Sequence, residues 1–233
     1  MVNKSKEMFP QDQQDKEIIP WWSIPIIVII SMMFLFSFVG RTFVIPSESM
    51  MPTLNGCQGC TNDRIIADKV SYYFSDPKQG DVVVFRDNGE WGLEERREGT
   101  FIETAKEPLR NMGWGSSYFL IKRVAATEGQ TIQCLPGDPG IMVNGEKLPK
   151  RNETIEETIN YDKKSGSQAC GGPYFGPITV EKDRLFVIGD NRQHSSDSRF
   201  NLDNGHNGTI PESNVYGKAN VIFYPMKRIG EIK

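Results

Sequence analysis

The sequence predicts an all-β domain that is preceded by one transmembrane helix and carries a small inserted β subdomain. Three observations support this fold class. The run from Ile18 to Gly40 is uncharged, in a chain whose mean hydropathy is −0.44. The chain beyond it divides into short β-branched and aromatic segments separated by turn residues. A stretch at about 137–177 is more polar and richer in turn residues, which predicts an insertion.

The uncharged run predicts a membrane-spanning helix. Its residues, IIPWWSIPIIVIISMMFLFSFVG, would span about 34 Å as a helix, enough to cross a hydrocarbon core. Trp21 and Trp22 stand where an interfacial aromatic belt is expected. A cleaved signal peptide is the main alternative, but its apolar region would be ~7–15 residues and would end in a small-residue cleavage site. A core helix is the other alternative, which the length of the uncharged run disfavours.

The flanking charges predict an orientation. Only Arg41 follows the run closely, whereas three lysines precede it: Lys4, Lys6 and Lys16. Because cytoplasmic flanks carry the excess of basic residues, the N-terminus is expected in the cytoplasm. The predicted order is a cytoplasmic segment, a helix in the cell membrane and an extracytoplasmic domain, at 1–17, 18–40 and 41–233. The net charge of −3, with both signs mixed, excludes nucleic acid as an expected partner.

Four cysteines lie on the expected outer side, which predicts two disulfides. A Cys57–Cys60 bond would clamp the loop NGCQGCTN. A Cys134–Cys170 bond would close a longer loop, worth about 3–4 kcal/mol in the chain-entropy model. The sequence leaves the pairing open. A zinc site or a redox motif is disfavoured, because a second close ligand pair and a surrounding βαβ pattern are missing. No metal or other cofactor is therefore expected.

Seven segments predict strands: RIIADKV, DVVVF, YFLIKRVAA, QTIQC, IMVNGEKL, RLFVIGD and NVIFYP. Asn144-Gly145, inside the fifth segment, is the signature of a two-residue hairpin turn. Helical periodicity is scarce beyond the apolar run, since ETAKEPLR is short and contains Pro108.

Ser47 and Ser49, in FVIPSESMMPTL, are candidates for covalent chemistry. Extended backbone would point both hydroxyls to one side, so that one could attack a carbonyl while the other donates to the oxyanion. A serine nucleophile needs a base, and the only histidines, His194 and His206, are far away in sequence. Two ordinary loop serines are the alternative interpretation.

Lys122, in SSYFLIKRVAA, is the candidate base. Strand alternation places it with Leu120 and Val124, and apolar surroundings lower the pKa of a lysine amine. The neutral amine could then take the serine proton. Arg123 would point to the opposite face and stay charged. The alternative is a strand-edge lysine whose amine reaches water.

A dense polar turn, GDNRQHSSDSR, follows the strand that ends near Gly189. Ser195 could orient the lysine by a hydrogen bond, and Asp197 could pair with Arg199 to brace the turn. So many polar groups after a buried strand are costly unless they satisfy one another or serve a site.

Together, IPSESMMPTL, YFLIKRVAATEGQTI and GDNRQHSSDSR, in this order behind an apolar segment, resemble bacterial type I signal peptidases. These are membrane-bound serine proteases that remove signal peptides from exported preproteins. The resemblance runs from Ile18 onward, and GCQGC, QTIQC and GDNRQHS are most similar to the actinobacterial branch. It implies an all-β catalytic core, preprotein substrates and membrane lipid as a partner. The protein-export machinery is a further candidate partner.

The resemblance also implies roles for single residues. Ser49 would be the nucleophile and Lys122 the general base, with the Ser47 hydroxyl and the Ser49 backbone N–H in the oxyanion hole. The site would be supported by Ser195, Asp197, Arg199 and Asp190. Pockets for small substrate side chains would be lined by Val44, Ile45, Met50, Leu54 and Ile121. The sequence departs from many relatives at His194, where asparagine is common, and in the longer loop FNLDNGHNGTIP.

Two other functions fit parts of the sequence. A Ser-His-Asp hydrolase would use Ser49 with His194 or His206, but no G-x-S-x-G elbow surrounds that serine. A non-enzymatic membrane-anchored β-domain, acting as a receptor or scaffold, would need only the anchor and the core. It would leave the three motifs unexplained.

Overall fold

The computed structural model of the chain describes residues 20–57, 59–89, 91, 119–149, 162 and 164–232, and only the backbone at 33–39. The chain divides into two units, whose boundary in the sequence lies between Ser37 and Phe38. The predicted segment 1–17 and the stretch ETAKEPLR lie outside the described residues.

The apolar run forms helix α1, Ser23–Val39. Large apolar side chains along its described part are exposed, for example Ile24 at 54% and Ile30 at 60%. Among the described residues, no helix is both long enough and apolar enough to cross a membrane. The predicted membrane span at 18–40 therefore stays a prediction.

In its described part, the second unit consists of β-strands joined by loops and 3-10 turns, with one short α-helix, α2, at Ser71–Phe74. The strands are β1 Gly40–Val44, β2 Arg64–Asp68, β3 Val82–Arg86, β4 Phe119–Thr127, β5 Thr131–Cys134, β6 Met142–Val143, β7 Glu146–Lys147, β8 Gly166–Ser167, β9 Gly172–Pro173, β10 Phe175–Thr179, β11 Arg184–Ile188, β12 Ile210–Pro211, β13 Val215–Tyr224 and β14 Gly230–Glu231.

Most of these strands form one antiparallel sheet in the order β1-β2-β13-β3-β4-β11-β12, with β14 paired to β13. A smaller sheet has the order β10-β5-β6-β7, and β8 pairs with β9. In the larger sheet, β4 is hydrogen-bonded on both edges, by β3 and β11. A side chain on β4, such as that of Lys122, can therefore be buried away from the edges of the sheet.

All seven predicted strand segments contain strands, and the predicted hairpin joins β6 and β7. Asn144 and Gly145 have φ values of 51° and 82°, the left-handed backbone that a two-residue hairpin turn requires. Six strands escaped prediction, and four of them, β8, β9, β12 and β14, are only two residues long. β1 was not recognised because it directly follows the apolar run, with no intervening loop to mark where the strand begins. β10 contains Gly176 and Pro177, residues that disfavour strands but are tolerated at the edge of a sheet, where β10 lies.

Candidate active site

Ser49 and Lys122, which are 73 residues apart in the sequence, meet in the second unit. A hydrogen bond of 2.8 Å joins Lys122 Nζ and Ser49 Oγ. Both side chains are buried, with exposed fractions of 4% for Lys122 and 6% for Ser49. The predicted nucleophile and base are therefore in direct contact and largely shielded from water.

The position of Lys122 on β4 explains its burial. It lies opposite Val83 of β3, inside the larger sheet rather than at an edge. Burial lowers the pKa of the Lys122 amine to about 8. The Asp197 carboxylate opposes this shift and the Arg199 guanidinium adds to it. The sequence-based expectation of a desolvated lysine agrees with this geometry, whereas the strand-edge alternative does not.

Ser47 and Ser49 come together in a way that the sequence did not predict. Ser47 has extended backbone, with φ −129° and ψ 158°, but Ser49 lies in a 3-10 turn at Glu48–Met50. The prediction that both serines are extended is wrong for Ser49, because the chain turns before Pro52. The turn nevertheless leaves the two hydroxyl oxygens 3.2 Å apart.

The turn after β11 closes against this pair. The backbone N–H of Asn191 donates to the Ser49 carbonyl at 3.1 Å. Gly189 lies at the contact, and a Cβ there would collide with the Ser49 carbonyl and the Ser195 side chain. Only glycine lets the two segments approach this closely.

Asp197 and Arg199 form the predicted pair within that turn. Arg199 Nε and Nη2 donate to the two carboxylate oxygens at 2.9 and 2.8 Å, and both side chains are fully buried. The Gly189 backbone N–H donates to Asp197 at 3.0 Å. Although burial opposes ionisation, Arg199 and these hydrogen bonds hold the pKa of Asp197 below its usual value.

Asp190 belongs to a second buried pair. Arg123 donates to its two carboxylate oxygens at 2.8 and 2.6 Å, and the Thr53 hydroxyl donates at 2.5 Å. Arg123 also donates to the Gly80 carbonyl at 2.8 Å. The sequence predicted Asp190 as a site residue but not Thr53 or the pairing of Arg123. The sequence feature that could have revealed this pairing is Arg123 itself, a second charged residue next to Lys122 in an otherwise apolar strand.

Ser195 is buried, with 4% exposure, and lies against Gly189. Its hydroxyl oxygen has no hydrogen-bond partner among the described residues, so the predicted hydrogen bond to Lys122 is not present there. The turn places the residue at the site, where its hydroxyl lies near enough to the Asp197 carboxylate to help lower the pKa of that group.

A pocket between β1, β3 and β4 contains part of the predicted substrate-binding set. Val44, Ile45 and Ile121 line it, and Val44 is 46% exposed. Met50 and Leu54 do not line it; they belong to the same buried cluster as Ile45 and are 0% exposed. The prediction that these two residues contact substrate stays a prediction. Further lining residues are Phe43, Pro46, Val84, Phe119 and Leu120.

Neither histidine serves Ser49. His206 Nδ1 lies 3.0 Å from Glu181 Oε2, with both side chains about half exposed. His194 is exposed, in the turn after β11. Within the described ranges, the hydroxyl of Ser49 has Lys122 and Ser47 as its partners. This removes the support for a Ser-His-Asp arrangement.

The cysteines lie in two pairs. Cys57 is bonded to Cys60 and Cys134 to Cys170, with Cα–Cα distances of 5.4 and 5.9 Å. In the part of the chain that the structure describes, no group of three or more His, Cys, Asp or Glu side chains is arranged to hold a metal ion.

A serine hydroxyl beside a buried amine is the serine–lysine arrangement, which appears in hydrolases that work without a catalytic histidine. The family model described as signal peptidase, peptidase S26, matches residues 18–224. The chain belongs to this peptidase family.

The chain is also similar to individual proteins that are named signal peptidase I. A probable signal peptidase I of Mycobacterium leprae (strain TN) is 39% identical over 231 residues, covering 91% of this chain and 78% of the relative. Signal peptidase I of Mycobacterium tuberculosis (strain ATCC 25618 / H37Rv) is 38% identical over 220 residues, covering 90% of this chain and 74% of the relative. These mycobacterial relatives confirm the actinobacterial resemblance. The crystal structure of a signal peptidase I from Enterococcus faecalis V583 is 19% identical, with a TM-score of 0.36, over 62% of this chain and 97% of that chain.

Proposed function

We propose that this chain is a membrane-anchored serine endopeptidase that removes signal peptides from exported preproteins, with Ser49 as nucleophile and Lys122 as general base. The observation that carries the proposal is the 2.8 Å contact between a buried lysine amine and a buried serine hydroxyl. Family membership and the names of the relatives supply the substrate class.

The first half of the reaction forms an ester. The neutral Lys122 amine takes the proton of Ser49 as Oγ attacks the carbonyl carbon at the end of the signal peptide. The resulting ammonium ion gives this proton to the nitrogen of the mature protein, and the peptide bond breaks. The mature protein leaves with a free amino terminus, and the signal peptide remains bound to Ser49 as an ester.

The second half hydrolyses that ester. Lys122, neutral again, takes a proton from water as the water oxygen attacks the ester carbonyl. The ammonium ion then returns the proton to Ser49 Oγ, and the signal peptide leaves with a new carboxyl group. In both halves the carbonyl oxygen becomes negatively charged, and the Ser47 hydroxyl and the Ser49 backbone N–H are the donors that stabilise it.

Asp197, Arg199, Asp190 and Ser195 act by positioning. Asp197 and Arg199 fix the turn that contacts Ser49, and Asp190 fixes β4 through Arg123. Two paired carboxylates and two guanidinium ions leave little net charge near Lys122, so burial dominates its pKa. The amine therefore stays neutral often enough to act as a base.

Substrate side chains enter the apolar pocket of Val44, Ile45 and Ile121. The pocket is small, about 40 Å³, which suits small residues before the scissile bond. Its lining residues Ile45 and Pro46 directly precede Ser47 in the sequence. β1 lies at one edge of the larger sheet, so an extended substrate can add to it as a strand.

The apolar segment 18–40 serves as the anchor, with the N-terminus in the cytoplasm and the catalytic unit outside. The described part of uncharged α1 exposes its large apolar side chains, and Trp21 and Trp22, just before the helix, are 77% and 58% exposed. Such a surface is favourable in lipid and unfavourable in water. Two cysteine pairs suit the oxidising outer compartment.

The test is cleavage of a preprotein by the full chain in detergent, followed by N-terminal sequencing of the product. We expect one cut, after small residues at the end of the signal peptide, and no cut by Ser49→Ala. Intact preprotein with the wild-type chain, or equal cleavage by Ser49→Ala, would reject the proposed function.

A further inference from the structure

Three cations border one cleft of the second unit, apart from the Ser49–Lys122 pair. They are Arg41 of β1, Lys69 after β2 and Arg86 at the end of β3. No acidic side chain lines the cleft, and none of the three forms an ion pair among the described residues. Like charges gathered in one place repel one another, and an anion between them would relieve the repulsion.

Aromatic rings hold these cations in place. Phe43, Phe119 and Tyr216 pack edge to face with ring centroids 5.1 to 5.4 Å apart. The guanidinium carbon of Arg41 lies 5.7 to 5.9 Å from all three centroids, and Lys69 Nζ lies 4.4 Å from that of Tyr216. Cation–π contacts orient a positive group without neutralising it. The charges are therefore arranged in advance and still available to a ligand.

Arg41 also has an unsatisfied donor. Its Nη2 atom is buried and has no hydrogen-bond partner among the described residues. A buried N–H group without an acceptor is costly, and guanidinium groups bind phosphate and carboxylate oxygens especially well. This observation, independent of the charge count, also indicates an oxyanion.

Carboxylates on the neighbouring elements have other partners. Asp81 accepts a hydrogen bond from the Tyr72 hydroxyl at 3.1 Å and pairs with Lys218 at 2.7 Å. Asp68 accepts from the backbone N–H of Val70 at 2.7 Å. Neither lines the cleft, so among the described residues no carboxylate lies between the three cations.

The rim of the cleft favours a lipid over a free phosphate. Tyr73, which lines the cleft, is 71% exposed, and the adjacent Phe74 is 87% exposed. Exposed aromatic side chains are favourable at the headgroup level of a membrane. Arg41 also follows Val39, the last residue of apolar α1, by only two positions in the chain. Basic residues directly beyond an apolar segment attract anionic headgroups.

We propose that the cleft of Arg41, Lys69 and Arg86 binds the phosphate of an anionic lipid headgroup. The proposal rests on the membrane anchorage in the proposed function and adds a specific lipid contact by the catalytic unit. Tyr73 and Phe74 would accompany this contact at the headgroup level.

Isothermal titration of the detergent-solubilised full chain tests the cleft. The probes are short-chain, water-soluble phosphatidylglycerol, short-chain phosphatidylcholine and inorganic phosphate. We expect phosphatidylglycerol to bind about tenfold more tightly than the other two, since each basic residue near an anionic headgroup contributes measurably. This preference should weaken as salt concentration rises.

The main variant replaces Arg41, Lys69 and Arg86 by glutamine and should abolish the preference. A matched control removes the same charge from exposed lysines outside the cleft: Lys147, Lys164 and Lys182. Arg41 packs against three rings, so its replacement could also disturb the fold. A second variant, Lys69→Gln with Arg86→Gln, therefore keeps Arg41. Each of these two replacements should weaken binding by about threefold, the usual effect of one partly exposed charge pair.

Equal affinity for phosphatidylglycerol and phosphatidylcholine would overturn the proposal, as would equal affinities of the cleft and control variants. Inorganic phosphate binding as tightly as phosphatidylglycerol would overturn it in favour of a site for free phosphate. Flotation of the chain with phosphatidylcholine vesicles tests the anchor separately. Preprotein cleavage tests the proposed function, so the three failures can be told apart.

Discussion

Arg199 connects the Asp197 carboxylate to the backbone carbonyl of Gly171. Its Nη1 donates to the Gly171 carbonyl at 3.1 Å, and its Nε donates to Asp197 at 2.9 Å. Gly171 follows Cys170, which is bonded to Cys134 of β5. One buried guanidinium therefore joins the turn that contacts Ser49 with a loop tied to the smaller sheet. The position of that turn depends on both sheets.

Loss of this disulfide should lower activity as well as stability. In Cys134→Ser with Cys170→Ser, the Gly171 carbonyl is no longer held against Arg199, so the turn after β11 loosens. We expect the free energy of unfolding to fall by about 3–4 kcal/mol in the chain-entropy model, and kcat to fall with it. Thermal unfolding and preprotein turnover measure the two effects. The Cys57–Cys60 bond closes a much shorter loop, so Cys57→Ser with Cys60→Ser is the control and should have a smaller effect on both.

Replacing either member of the proposed dyad should nearly abolish turnover. Ser49→Ala and Lys122→Ala should each reduce kcat by about 10³ or more, and the double variant should lose little more, because the two residues act as one unit. Lys122→Arg should fail as well, since a guanidinium stays protonated. Lys182→Ala, on an exposed lysine, is the control. Near-normal preprotein cleavage by Lys122→Ala would assign the base to another group.

The pH dependence of the rate should follow the Lys122 amine. Burial lowers its pKa to about 8, so the amine is mostly protonated below that pH and mostly neutral above it. Because only the neutral amine accepts the Ser49 proton, kcat/KM should rise with pH up to about 8 and then level off. Replacing His194 and His206 by asparagine should leave this rise in place. A rise that moved in His194→Asn would return histidine to the mechanism.

Ser47 should affect the chemical step more than substrate binding. Its hydroxyl lies 3.2 Å from that of Ser49 and would bind the oxyanion only when charge develops there. Ser47→Ala should therefore lower kcat by about 10²–10³, with KM nearly unchanged. Ser47→Thr keeps the hydroxyl and should be milder. A higher KM with unchanged kcat in Ser47→Ala would make this serine a substrate-binding residue.

Gly189 should not tolerate even a methyl group. A Cβ there would collide with the Ser49 carbonyl and the Ser195 side chain, so Gly189→Ala must push the turn away from the nucleophile. We expect a loss of about 1–3 kcal/mol in the free energy of unfolding, typical of overpacking, together with a large loss of kcat. Gly230→Ala is the matched control, since a Cβ there meets nothing within 4 Å. Equal behaviour of the two variants would mean that the contact at Gly189 is not needed.

Local patterns in the sequence were sufficient for most of the larger sheet. β-branched segments between turn residues identified β2, β3, β4, β11 and β13, because strand propensity and turn chemistry are properties of neighbouring residues. β1 was missed because it continues an apolar run, and β10 because it contains Gly176 and Pro177. β8, β9, β12 and β14 were missed because each is only two residues long. A segment whose composition does not favour a strand can still form one when pairing with a neighbouring strand stabilises it.

The sequence by itself determined which chemical groups are available: two serines, a lysine in an apolar strand, a polar turn and four cysteines. It also indicated that Lys122 would be desolvated, because its neighbours in the strand are apolar. The tertiary structure alone decided that Lys122 Nζ lies 2.8 Å from Ser49, that Ser49 sits in a 3-10 turn, and that Met50 and Leu54 face the core. It also decided that Arg123, Thr53 and Asp190 share one buried site. Contacts between residues so distant in the chain depend on how the strands pair and pack, which a local pattern does not contain.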